Sequence, residues 1–86
     1  KKIGVLGLSF KAETDDVRDS LSLNLIKILK KNNVKYFAND PYYKFKDNTP
    51  IELLIKKSDI IILAIPHKIY NNLKIPKKKF FVNIWE

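Results

Sequence analysis

Between Lys11 and Asp19 the sequence gathers Lys11, Arg18 and four carboxylates, Glu13, Asp15, Asp16 and Asp19, within nine residues. Cations in such a loop attract a phosphorylated ligand or nucleic acid. Arg18 is the most informative of them, because a phosphate-reading surface favours arginine's planar fork and the other 16 cations are all Lys. The same stretch also reads as a self-neutralising surface loop, with Asp15, Asp16 or Asp19 helping to cap a following helix. Three further places carry chemistry. Asp40, before Pro41, either accepts from a ribose hydroxyl or shapes a turn. His67, after Pro66, either faces a ligand cleft or is a helix-start or surface residue, and no acid or base partner is evident for it. Tyr42, Tyr43 and Phe45, interleaved with Lys44 and Lys46, either stack on a base or cover a sheet edge.

Much other chemistry is excluded. The 86 residues contain no Cys and one His, so a thiol nucleophile, a disulfide framework and a multi-His metal site are all impossible within the chain. The formal net charge of +8, with 45% hydrophobic residues, describes a chain that can fill a core and is not disordered. No apolar run approaches the ~18 residues of a membrane span, and no signal peptide is visible. Such a chain is expected in the cytoplasm. Met is absent, even at position 1, which leads us to expect one domain, residues 1–86, of a longer protein.

The elements that must position these residues follow from local pattern. Ile3–Leu8 is a short apolar run punctuated by glycine, a buried strand. Ser20 stands where an N-cap belongs, ahead of Leu21, Leu25, Ile28 and Leu29 at helical spacing, and Asn32-Asn33 ends that helix. Val34–Ala38 is a second strand, closed by the Asn39-Asp40-Pro41 turn. Thr49-Pro50-Ile51-Glu52 predicts a capping box with Pro50 at the first helical position. Asp59–Ile65 has no polar alternation and predicts a strand covered on both faces. A brief helical turn around Ile69, Tyr70 and Leu73 precedes a last strand, Phe80–Ile84. The order implies right-handed crossovers and an α/β fold: a three-layer α/β/α sandwich on a Rossmann-like parallel sheet.

In such a sheet ligands sit beyond the carboxyl ends of the strands. A dinucleotide fingerprint would put glycines at positions 7, 9 and 12, where this chain has Gly7, Ser9 and Ala12. A side chain at the second of these obstructs a pyrophosphate. The connection from Ser9 to Asp19 is also longer than the ~2–6 residues usual between strand and helix. Independent NAD binding by this turn is therefore not expected, and a long polar loop at the ligand edge hints at another role.

The run Gly4-Val5-Leu6-Gly7-Leu8-Ser9-Phe10-Lys11-Ala12-Glu13-Thr14-Asp15-Asp16-Val17-Arg18-Asp19-Ser20 resembles the opening of the C-terminal, UDP-binding domain of the UDP-glucose/GDP-mannose (nucleotide-sugar) dehydrogenase family. Asn39-Asp40-Pro41-Tyr42 and the Asp59–Pro66 strand resemble that domain's later segments. The resemblance implies a two-step, NAD-dependent oxidation of a sugar C6 alcohol to a carboxylate. It implies that NAD and the catalytic Cys belong mainly to an N-terminal domain outside these residues, so that this chain alone is inactive and contributes no catalytic residue and no metal ligand. By the same resemblance Phe10 and Lys11 contact a UDP- or GDP-linked sugar and Arg18 reaches toward the NAD phosphates. Lysine's compact ammonium and arginine's bidentate fork suit those oxygens. The implied partners are the N-terminal NAD-binding and central domains of the same enzyme, which is expected to be oligomeric; a membrane partner is not expected. The alternative is a small basic module binding nucleic acid or a regulatory nucleotide. The family's Arg-Gly loop after the last strand has no counterpart in Phe81–Glu86.

Overall fold

The computed structural model describes residues 1–8, 21–42 and 46–84. Four short strands, β1 (Ile3–Leu6), β2 (Tyr36–Asn39), β3 (Ile60–Leu63) and β4 (Phe80–Asn83), form one sheet in the order β2-β1-β3-β4. All three pairings are parallel, with Ile3 opposite both Tyr36 and Ile60. Successive side chains of a strand point to opposite faces, and the core divides accordingly. Val5, Ala38 and Ala64 pack with Ile26 and Leu29 of helix α1 (Leu21–Lys31). Leu6, Ile61 and Leu63 pack with Leu54 of helix α2 (Ile51–Lys57) and with Tyr70 of a single 3-10 turn, Lys68–Tyr70. The result is the expected three-layer, Rossmann-like sandwich. No described helix is long and apolar enough to cross a membrane.

Backbone chemistry sets the element ends. After α1, Asn33 adopts φ 57°, its amide donates to the Lys30 carbonyl at 3.1 Å, and the Val34 amide reaches back to Leu29 at 2.9 Å. This is a Schellman stop with asparagine in the left-handed position. Gly4 lies under α2, where a Cβ would collide with Ser58 Oγ and Leu54. At the amino edge the Lys2 amide donates to Asp59 Oδ2 at 2.8 Å. That bond, with smaller help from nearby Lys79 and Lys2, holds the Asp59 carboxyl below its ordinary range.

The structure corrects four local expectations. Among the α1 residues whose side chains are described, the buried positions are Ser22, Ile26 and Leu29, whereas Ile28 is 57% exposed; at 100° per residue, Ile28 sits about 200° round the helix from Ile26. The Thr49 capping box does not form. The Thr49 amide donates to the Ala38 carbonyl at 2.8 Å and its carbonyl accepts from Asn39 Nδ2, so its backbone is tied to β2. Its hydroxyl reaches back to Asp47, Pro50 becomes the N-cap, and no side chain caps α2. Third, the Asp59–Ile65 run is a strand only over Ile60–Leu63, and Ile60 and Ile62 remain half-buried. The α1 side of β3 is thus incompletely covered. Last, of the two plain readings of His67 the surface one fails, since the residue is fully buried, while the helix-start one holds, since it is the N-cap of the Lys68–Tyr70 turn.

Candidate functional site

The chain runs from β1 through α1 to β2 on one side, then crosses back through α2 to β3 on the other. This reversal opens the sheet's carboxyl edge between β1 and β3, where ligands of parallel α/β folds bind. Gly7 closes the end of β1 with φ 94°, and a Cβ there would lie 2.6 Å from Ile65 Cβ. A side chain is excluded twice, by backbone angle and by the neighbouring strand end. The close approach that glycine permits here is filled by the protein's own Ile65. It does not form a cradle for a pyrophosphate.

One residue further on, the three strand ends are tied together. Asp40, just after β2, is buried, and its Oδ2 accepts from the Leu8 amide at 2.7 Å. The same oxygen lies 3.1 Å from His67 Nε2. Its Oδ1 accepts from the Tyr42 amide at 2.8 Å, an Asx turn. An ionised carboxylate is an acceptor only, so His67 must carry a hydrogen on Nε2. The imidazole contacts two aromatic rings, Tyr42 at 5.1 Å and Tyr70 at 5.7 Å between centroids.

A second polar layer supports this one. Tyr70 OH donates toward Asn39, 2.7 Å from Oδ1 and 3.0 Å from the carbonyl. Asn39 Nδ2 donates to the Thr49 carbonyl at 2.8 Å, and Asn48 Nδ2 to the Asp40 carbonyl at 3.1 Å. Burial, and secondarily the Asp40 charge, push the Tyr70 phenol well above its ordinary range. A cleft of about 410 Å³ opens beside this network, lined by Pro41, Pro50, Glu52 and Ile69 among others.

The turn reading of Asp40 is shown in geometry, and its carboxylate accepts from two backbone amides and lies against an imidazole. Gly7 is packed against Ile65, and Asp40 is engaged by protein groups. Tyr42 lies against His67, whereas Tyr43 and Phe45 lie outside the described residues. So do Phe10, Lys11 and Arg18. Leu8, the last described residue before them, is buried. Sequence reasoning missed the Asp40–His67 pair. Its one signal is that each lies beyond the carboxyl end of a strand and adjoins a proline. Among the described residues no cluster of three His, Asp or Glu could hold a metal ion. Lys79, in the terminal charge run, donates to the Lys56 and Ser58 carbonyls and closes the end of α2.

Residues 4–85 match the model of the UDP-glucose/GDP-mannose dehydrogenase family, UDP binding domain. The chain is 30% identical over 76 residues to a UDP-N-acetyl-D-mannosamine dehydrogenase of Methanococcus maripaludis, spanning 85% of this chain and 18% of that relative. It is 51% identical over 41 residues to a UDP-glucose 6-dehydrogenase of Rickettsia felis, 48% of this chain and 9% of that one. The fold superimposes on a GDP-mannose dehydrogenase of Pseudomonas aeruginosa with a TM-score of 0.84 at 23% identity, covering 95% of this chain and 24% of that structure.

Proposed function

The chain belongs to the UDP-glucose/GDP-mannose dehydrogenase family as its UDP binding domain, and from that premise we propose that it holds the nucleotide sugar in an NAD-dependent nucleotide-sugar 6-dehydrogenase. The family match across residues 4–85 carries this reading. The chain spans under a fifth of the Methanococcus relative, and in this reading the oxidation is the work of a longer enzyme, itself oligomeric and cytoplasmic, of which these residues are one domain. The chain has no Cys, so the thiol of a covalent step comes from elsewhere in that enzyme, and the 86 residues alone do not turn over. NAD, bound mainly outside this chain, accepts the hydride from the sugar.

Within this chain, Phe10 and Lys11 meet the nucleotide sugar and Arg18 reaches the NAD phosphates. The resemblance of Phe10-Lys11 and Thr14-x-Asp16-x-Arg18-x-Ser20 to the family pattern supports these roles, as does their place in the sequence, between β1 and α1. The engagement of Asp40 with protein groups agrees with NAD being held mainly by another domain. The ligand is a nucleotide sugar rather than a nucleic acid.

The test is calorimetric titration of the full-length protein with UDP, GDP and their sugars. A charge-assisted hydrogen bond from Lys11 is worth ~1.5–3 kcal/mol, so Lys11→Ala is expected to weaken nucleotide-sugar binding roughly ten- to a hundred-fold. Lys77→Ala is the control and is expected to change little. Equal losses in both variants would mean diffuse electrostatics and would remove Lys11 from the site.

A further inference from the structure

We infer that His67 is a positioning residue for nucleotide binding, acting through Asp40 on the Leu8 amide, the point from which the sequence runs into Phe10 and Lys11. The inference rests on the nucleotide-binding function proposed above. The local turn after β2 needs only Asp40 Oδ1 and the Tyr42 amide. The second oxygen serves a different purpose, joining Leu8 after β1 to His67 after β3. Those are the two strand ends that flank the ligand crevice. Both side chains of the pair are wholly inaccessible, and a buried carboxylate demands such donors. The Tyr42 and Tyr70 rings pack against the imidazole, one tilted and one edge-on. His67 is also anchored by its own backbone: its amide donates to the Ile65 carbonyl and its carbonyl accepts from the Tyr70 amide. The donor is therefore placed rigidly, and it orients Asp40, which orients Leu8.

This predicts dependence on a donor at the Nε2 position rather than on ring volume. A glutamine amide reaches about as far as imidazole Nε2, an asparagine amide falls short, and phenylalanine fills the space without a donor. In the full-length protein, titrated with UDP and with GDP, His67→Phe and His67→Asn are expected to weaken the nucleotide that the wild type binds more tightly by about ten-fold or more. His67→Gln is expected to stay within about three-fold of wild type. The KM for nucleotide sugar is expected to rise in the first two while kcat is retained. Melting temperatures are recorded for all three. Wild-type affinity in all three variants, or affinity that follows melting temperature irrespective of the donor, would overturn the role of His67 alone. Failure of the wild type to bind either nucleotide would overturn the functional reading and this inference with it.

Discussion

The two flanks of β3 contrast sharply. Towards β1 and β2 its carboxyl end meets a buried polar network in which Asp40, His67, Asn39 and Tyr70 satisfy one another. Towards β4 the sheet carries apolar side chains in the open: Phe80 is 63% exposed, Val82 45% and Ile84 53%. Polar groups have been taken out of water at one place and apolar groups left in it at the other. The contrast teaches that β2-β1-β3 is the tightly specified unit. Its buried charge must be paired, so each partner is essential, whereas β4 leans on a single neighbour and contributes little to either half of the core.

The largest effect that would break this contrast is expected at His67. Replacing it with Ala strands the Asp40 carboxylate in the interior, and denaturant unfolding is expected to register a loss of about 3–5 kcal/mol. A loss below about 1 kcal/mol would mean that the pair is not a stabilising centre.

Tyr70 sharpens the same side. Tyr70→Phe removes the hydroxyl that serves Asn39 and is expected to cost about 1–2 kcal/mol near neutrality. Its pH dependence has a defined sign. The folded phenol is pushed above its ordinary value, so the unfolded chain ionises first, near pH ~10. The stability Tyr70 contributes is complete below that pH and is lost progressively as pH rises above it. Unfolding midpoints compared at about pH 9 and about pH 11 should therefore fall more steeply for the wild type than for Tyr70→Phe. Parallel falls would show that the phenol is not protected.

The smallest effect is expected on the other flank. Val82→Thr keeps the branched shape on a half-exposed strand and is expected to change stability by no more than about 0.5 kcal/mol. A cost above about 1.5 kcal/mol would place β4 in the core and erase the contrast.

How much of this was legible in the sequence varies with the range of the interaction involved. The element order, the Asn32-Asn33 helix stop and the turn at Asn39-Asp40-Pro41 are readable because each depends on neighbours a few residues away, and the parallel sheet follows from the alternation of strands and helices in that order. The face of α1 was misread, since Leu25, Ile26, Ile28 and Leu29 permit two apolar stripes and only docking on Val5 and Ala38 selects between them. Thr49 was assigned a cap by its local pattern but is held by a bridge to β2, a contact made by packing.

The sequence by itself determined the class of fold and, through the run from Gly4 to Ser20, the family. Local propensity and apolar spacing suffice for the first, and an ordered set of residue types suffices for the second. Only the tertiary structure decided the chemistry of the carboxyl edge. Asp40 and His67 stand 27 residues apart in the chain. They meet because the strand order places β1 between β2 and β3, bringing two separate strand ends to either side of Leu8. No local pattern encodes that meeting, because a carboxylate before proline and a histidine after proline each have an adequate local role until the sheet sets them 3.1 Å apart.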